Sequence, residues 1–295
     1  LYDSQGRYSD AEPLYIEALA MRKRLFAGDH PNVATSLNNL ASLYDSQGRY
    51  SDAEPLYIEA LAMTKRLFTG EHPDVATSLN NLAYLYDSQG RYSDAEPLYI
   101  EALAMRKRLF AGDHPDVATS LNNLALLYNR QGRYSDAEPL LIEALAMRKR
   151  LFAGDHPDVA TSLNNLASLY NRQGRYSDAE PLYIEALAMR KRLFAGNHPD
   201  VATSLNNLAL LYNNQGRYSD AEPLLIEALA MCQRVLGVNH PTTATVRENL
   251  AILQRQSNPP TIRKGRLSHF MQILKAILIL PFSLLWRLAK KLIRN

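Results

Sequence analysis

The chain has 295 residues, 46% of them hydrophobic and 21% charged, which is enough apolar surface to build a core and excludes global disorder. Its single cysteine, Cys232, excludes an internal disulfide framework and a Cys-rich zinc site, and fits a reducing compartment such as the cytoplasm. The net charge of +3 conceals a division: residues 259–295 hold eight basic and no acidic side chains, leaving 25 basic against 30 acidic ones in the rest, so a mildly acidic body carries a basic tail and the chain does not read as a nucleic-acid binder.

Leu1-Tyr2-Asp3 shows neither a start methionine nor a signal pattern and reads as the interior of a longer chain. From there the sequence repeats every 42 residues. Gly-Arg-Tyr-Ser-Asp-Ala-Glu-Pro begins at Gly6, Gly48, Gly90, Gly132, Gly174 and Gly216, and His-Pro recurs at His30, His72, His114, His156, His198 and His240. Near-identical copies at a fixed step are expected where each unit contacts mainly its two neighbours.

Within one unit, residues 115–132 predict a first helix: Val117, Leu121, Leu124, Ala125 and Tyr128 fall at spacings of three and four, and Gly132 closes it. Residues 134–152 predict a second, with Ala137, Leu141, Ala144, Leu145 and Arg148 in register and Pro139 in the first turn, after the cap candidates Ser135 and Asp136. Nothing alternates with period two, so strands are not expected. The Arg-Lys-Arg runs, Arg106 to Arg108 for instance, read as a solvated outer face. The last unit decays to Arg247-Glu248-Asn249-Leu250 and Gln254, the polar terminal helix that a stacked array needs as a cap.

After residue 257 the pattern predicts a linker over 258–266 and a tail over 267–295. The tail's longest uncharged run, 276–286, has 11 residues, short of the ~20 that a spanning helix requires. From Phe282 onward, Phe282, Leu285, Leu288, Ala289, Leu292 and Ile293 fall on one side. Ser283, Arg287, Lys290, Lys291 and Arg294 fall on the other, and Trp286 sits at the boundary. Such a helix suits an anionic membrane surface; a kinked span from Leu267, or a segment folded back over the array, are the alternatives.

The series Leu121, Leu124, Ala125, Tyr128, Gly132, Tyr134, Ala137, Leu141 and Ala144 resembles the tetratricopeptide repeat. The 42-residue form, with Leu-Asn-Asn-Leu-Ala and His-Pro-Asp-Val-Ala, resembles the repeats of kinesin light chain and its bacterial relatives. The resemblance covers residues 1–256 and implies an all-α, right-handed superhelical solenoid of helical hairpins whose concave face is lined by the first helix of each pair. It also implies protein or peptide partners.

Because the units are near-duplicates, the positions that differ stand out. In the first helix they are Ser42, Tyr84, Leu126, Ser168 and Leu210; then Asp45, Asp87, Asn129, Asn171 and Asn213; then Ser46, Ser88, Arg130, Arg172 and Asn214. Spacings of three and four put them on one helical face. Four residues before the first column stands a constant Asn: Asn38, Asn80, Asn122, Asn164 and Asn206. These amides are candidates to bond an extended peptide backbone, since an amide donates and accepts without demanding a sequence. Asp45 and Asp87 at one end, and Arg130 and Arg172 further along, would polarise the groove and favour an acidic stretch of partner at the arginines. The second Asn of each pair (Asn39, Asn81, Asn123, Asn165, Asn207) has a structural reading, amides bridging neighbouring helices. Drift on an exposed face is the alternative for the variable columns.

Six of the seven histidines are the repeated His-Pro, each placed at its own turn, where a local capping role is expected and a shared metal ion is not. No phosphate-cradling loop, zinc-binding helix or nucleophile motif is present. The expectation is therefore a non-catalytic scaffold or adaptor with no cofactor, no metal and no small-molecule substrate. It would bind peptides in its groove and be held peripherally at a membrane by its tail. The alternatives are a sensor array cut from a larger signalling ATPase or protease, and a membrane-active protein whose tail is the effector.

Overall fold

The computed structural model describes residues 8–257. The chain divides into two compact units, Leu1–Asn249 and Leu250–Asn295; of the second, the described part is the end of one helix. Among the described residues there are twelve α-helices and no strand: α1 (Tyr8–Leu25), α2 (Pro31–Ser46), α3 (Tyr50–Leu67), α4 (Pro73–Ser88), α5 (Tyr92–Leu109), α6 (Pro115–Arg130), α7 (Tyr134–Leu151), α8 (Pro157–Arg172), α9 (Tyr176–Leu193), α10 (Pro199–Asn214), α11 (Tyr218–Val235) and α12 (Pro241–Ser257). Helices α1 to α11 pack in succession, each on the next, and the even-numbered helices are the first helices of the repeats. The linker and the tail, with the membrane candidates Phe282, Leu285, Trp286, Arg287, Leu288, Lys290 and Lys291, lie outside the described residues.

The repeated motifs are the helix ends. Proline opens each even helix, and the histidine before it is the cap: His114 Nδ1 accepts the N–H of Asp116 at 3.1 Å, and His156, His198 and His240 bond in the same way to the residue two positions on. The imidazole also lies flat on the phenyl ring four residues earlier, with the Phe110 and His114 centroids 3.6 Å apart. One orphan amide is thus satisfied and the incoming turn is held against the helix start.

At the other end Gly132 adopts φ +75°, which lets the Arg133 N–H reach back to the Tyr128 carbonyl at 2.9 Å, the hydrogen bond of a left-handed helix cap. Arg133 then joins three elements. Its Nε donates to Asp136 at 2.8 Å, its Nη1 donates to both Glu96 oxygens of the preceding repeat at 2.9 Å, and its guanidinium lies 4.0 Å over the Tyr128 ring. The Gly-Arg-Tyr-Ser-Asp-Ala-Glu signature is therefore both a turn and an inter-repeat fastener.

The core runs between hairpins. Val117, Ala118 and Leu121 of α6 meet Ala144 and Met147 of α7, while Leu103 and Phe110 close the same cluster from the preceding repeat. Truncating Leu121, which is fully buried, would remove about 2–5 kcal/mol.

Two local expectations are corrected. Helix α7 already begins at Tyr134, and Arg133 precedes it without a side-chain cap bond, so Pro139 lies beyond the first turn. Proline removes a donor to the Ser135 carbonyl, and Ser135 and Pro139 are both exposed, where water can take its place. The Arg-Lys-Arg run is not uniformly solvated. Arg106 is only 5% exposed; its Nη1 donates to the Ser120 hydroxyl at 2.8 Å and the Asp116 carbonyl at 3.2 Å, and its Nη2 donates to the Thr77 hydroxyl at 3.3 Å. From α5 it thereby clamps α4 to α6, and Arg148 and Arg190 do the same one and two repeats on. Lys107 and Arg108 do face outward, in ion pairs with Glu143 and Glu71.

The two rows of helices are spaced differently. Even-numbered helices touch one another from repeat to repeat, through pairs of short Asn amides such as Asn123 and Asn80. The odd-numbered row is spanned by long side chains, Lys107 to Glu143 and Lys149 to Glu185. The even-numbered row is thus the narrow side of the first unit.

Candidate interaction groove

The narrow side carries the residues singled out in the sequence. The constant asparagines form rungs: Asn80, Asn122, Asn164 and Asn206 each accept, through Oδ1, the Nδ2 of Asn123, Asn165, Asn207 and Asn249 at 2.8–2.9 Å. The first Asn of one repeat accepts from the second Asn of the next. This explains why a residue that is unfavourable inside helices by about 0.5 kcal/mol recurs here. The Nδ2 groups of Asn80, Asn122 and Asn164 donate to no described residue, which leaves an amide donor at each of these rungs. Asn38 departs from the pattern: its Nδ2 points at the Ser78 hydroxyl at 3.4 Å, and its Oδ1 is buried with no partner among the described residues.

Beside the rungs, the first variable column is matched to the second helix of its own hairpin. Ser42 and Ser168 occur with Tyr57 and Tyr183, and Leu126 and Leu210 with Leu141 and Leu225. The Tyr57 hydroxyl is influenced by Ser42, and that of Tyr183 by Ser168 and Asn171, each of which opposes the rise in pKa that burial causes. Tyr57 and Tyr183 are 3% exposed, so a polar partner is needed for each buried hydroxyl. Tyr84, opposite Tyr99, is 49% exposed. This co-variation at a separation of 15 residues was present in the sequence and is the signal that identifies Tyr57 and Tyr183 as part of the groove floor.

The charged columns pair along the row. Asp87, 4% exposed, forms an ion pair with Arg130 of the next repeat, so two charges expected at separate ends of the groove neutralise each other. Burial pushes the Asp87 carboxyl above the ordinary aspartate range, and Arg130 opposes that. Further on, Asn214 Nδ2 donates to Asn171 Oδ1 at 3.1 Å. Asn129 is buried with its Oδ1 unpartnered among the described residues. Arg172 is exposed and in no ion pair there. Asp45, half-buried, has its pKa raised by desolvation and also lacks an ion-pair partner among the described residues.

Between α2 and α4 the surface opens into a cavity of about 450 Å³ lined by Asn38, Ser42, Asp45, Tyr57, Asn81 and Tyr84 among others. Among the described residues no three His, Cys, Asp or Glu side chains cluster as a metal site, and no helix is long and apolar enough to cross a membrane.

A row of capped helical hairpins with one polar, amide-studded side defines a helical-repeat interaction protein. The tetratricopeptide repeat profile matches residues 1–66, 46–108, 74–150, 116–192, 158–231 and 200–260, and the chain belongs to the tetratricopeptide repeat family. Its repeats are of the kinesin light chain-like kind. BtubC (BKLC) from P. vanneervenii is similar at 27% identity over 79% of this chain and 94% of that one, with a TM-score of 0.65. The nearly identical TPR-like repeats of a protein assigned as a kinesin light chain in Podosopora anserina match at 26% identity over 70% and 98%, with a TM-score of 0.59. NprR in complex with its cognate peptide NprX shares the fold at 17% identity over 88% and 70%, with a TM-score of 0.58. No curated protein matches the sequence.

Proposed function

We propose that the chain is a non-catalytic scaffold that binds an extended segment of a partner protein along the even-numbered helices. The observation that carries this reading is the asparagine row. Each Oδ1 is held by the next repeat, so each rung is fixed in orientation, while the Nδ2 of Asn80, Asn122 and Asn164 is left to donate to a main-chain carbonyl. Preorganised donors at a regular step suit a polypeptide, because little side-chain entropy remains to be lost on binding. Tyr84, Leu126 and Leu210 would contact side chains of the guest, Asn129 and Asn171 would line its path, and Arg172 would meet an acidic group. Peptide binding by this fold has a precedent in NprR with NprX. The basic apolar segment 267–295 would hold the array at an anionic membrane surface.

Replacing Asn122 and Asn164 with Asp tests the row, because aspartate keeps an oxygen for Asn165 and Asn207 to bond and turns the donor into a negatively charged acceptor that repels a main-chain carbonyl. Peptides selected from a display library on the intact chain should bind N122D/N164D at least tenfold more weakly, with the melting temperature within a few degrees of wild type. Selected peptides indifferent to the double substitution would overturn the reading.

A further inference from the structure

Two of the six described repeats lack an arginine that the other four use. Arg22, Arg106, Arg148 and Arg190 occupy the same position, and each donates to a backbone carbonyl ten residues on and to a serine hydroxyl fourteen residues on. The last three also reach a threonine hydroxyl in the first helix of their own hairpin. In the second repeat this position is Thr64. Its side chain reaches only the Leu61 carbonyl and, at 3.5 Å, the Ser78 hydroxyl. All three residues that would receive the guanidinium, Asp74, Ser78 and Thr35, are retained, and they line a cavity of about 270 Å³ between α2 and α4.

The contrast with the last repeat is informative. There the arginine is replaced by Cys232, and the serine is replaced by Val246; both are buried. That interface lost the acceptor along with the donor, whereas the one at Thr64 kept its acceptors.

A second positive charge is missing beside it. Arg130 pairs with Asp87, 43 positions earlier; the residue 43 positions after Asp45 is Ser88, and Asp45 has no ion-pair partner among the described residues. The 270 Å³ and 450 Å³ cavities share Asn38, Asn39 and Asn81. Asn38 also fails to form the amide rung with Asn81 that later repeats make, and its Oδ1 is buried and unpartnered. At this interface the Ser78 hydroxyl has only the longer contacts from Asn38 and Thr64, Asn38 Oδ1 is buried and unpartnered, and every other described repeat that keeps the serine has a guanidinium on it.

We infer that the cavity bounded by Thr35, Thr64, Asp74 and Ser78 is a binding site for an arginine side chain of the partner polypeptide. The guest guanidinium supplies to Ser78, Thr35 and the Asp74 carbonyl the fork that Arg106 supplies one repeat later. The fork geometry selects arginine over lysine, because one planar group must serve several acceptors. The partner's anchoring charge is therefore positive, opposite to the acidic stretch that Arg130 and Arg172 suggest. This assignment rests on the groove reading for the source of the arginine.

N-acetyl-arginine amide, the smallest peptide-like probe, tests the cavity in the full chain. In nuclear magnetic resonance titrations it should shift the side-chain amides of Asn38 and Asn81, and N-acetyl-lysine amide and the neutral N-acetyl-citrulline amide should bind at least fivefold more weakly. T64R installs the side chain that three other repeats bury with the same set of acceptors. It should raise the melting temperature and abolish the shifts, and N122D/N164D should leave them intact. Binding of the probe undiminished in T64R, equal binding of the lysine or citrulline amide, or tighter binding of free arginine would overturn the assignment. Library peptides that lose affinity in N122D/N164D but not in T64R would overturn it while leaving the groove standing.

Discussion

Asp45 and Asp87 occupy the same column and differ in one partner. Asp87 has Arg130 across the row; Asp45 has Ser88 at that place. Burial raises the Asp45 carboxyl above its ordinary value, so the folded chain holds this proton to higher pH than the unfolded chain. The associated stability is full below the ordinary aspartate value of about 3.9 and is lost as pH rises through the raised one. D45N, which installs the residue found at Asn129, Asn171 and Asn213, should melt higher than wild type at pH 7 and converge with it toward pH 4, as read by circular dichroism. At this scale the sequence was only partly legible. The first asparagines were visible as a column at a step of 42, but their bond partners lie 43 residues away in another column, a relation that no single helix displays. Arg106 reads as surface because it is charged and sits between Met105 and Lys107; its burial depends on a hydroxyl in the next helix and another in the helix before.

Helices were legible almost to the residue, because their ends are written in residues with narrow uses. Proline after histidine starts α6, and Gly132 stops it at a backbone angle that a side chain rarely adopts. G132A meets no steric neighbour within 4 Å, so its effect isolates the backbone term. Urea denaturation should show a loss of about 1–2 kcal/mol, with the helix content of the folded state unchanged. The position of Pro139 was harder to read, since Ser135 and Asp136 look like caps and the helix begins before them. Neither residue caps the helix; the start of α7 is secured by Arg133, whose partners Glu96 and Asp136 lie in two different repeats. Long-range fastening of this kind outweighs local capping preference.

For the whole chain, the repeat period disclosed the architecture, and the family match agrees with it. The division between a mildly acidic body and a basic end was equally plain from charge, and its proposed purpose is open to direct measurement. Deleting 259–295 should abolish co-sedimentation with vesicles of phosphatidylserine and phosphatidylcholine and leave the helical content of the array unchanged; co-sedimentation equal to that of the full chain would reject the tether. The interface that breaks the pattern, by contrast, is not visible along any one helix, because Thr64 lies in a second helix and Ser78 in the next first helix.

Because neighbouring hairpins present the same donors and acceptors to one another, a whole repeat can be duplicated or lost by recombination in the gene and the new junction closes with bonds of the old kind. The number of rungs is then a heritable variable, free to change with little penalty in folding. Thr64 is the break inside the row that gives such a uniform ruler an origin: a guest anchored there is read in one direction and in one frame, however many graduations lie beyond it.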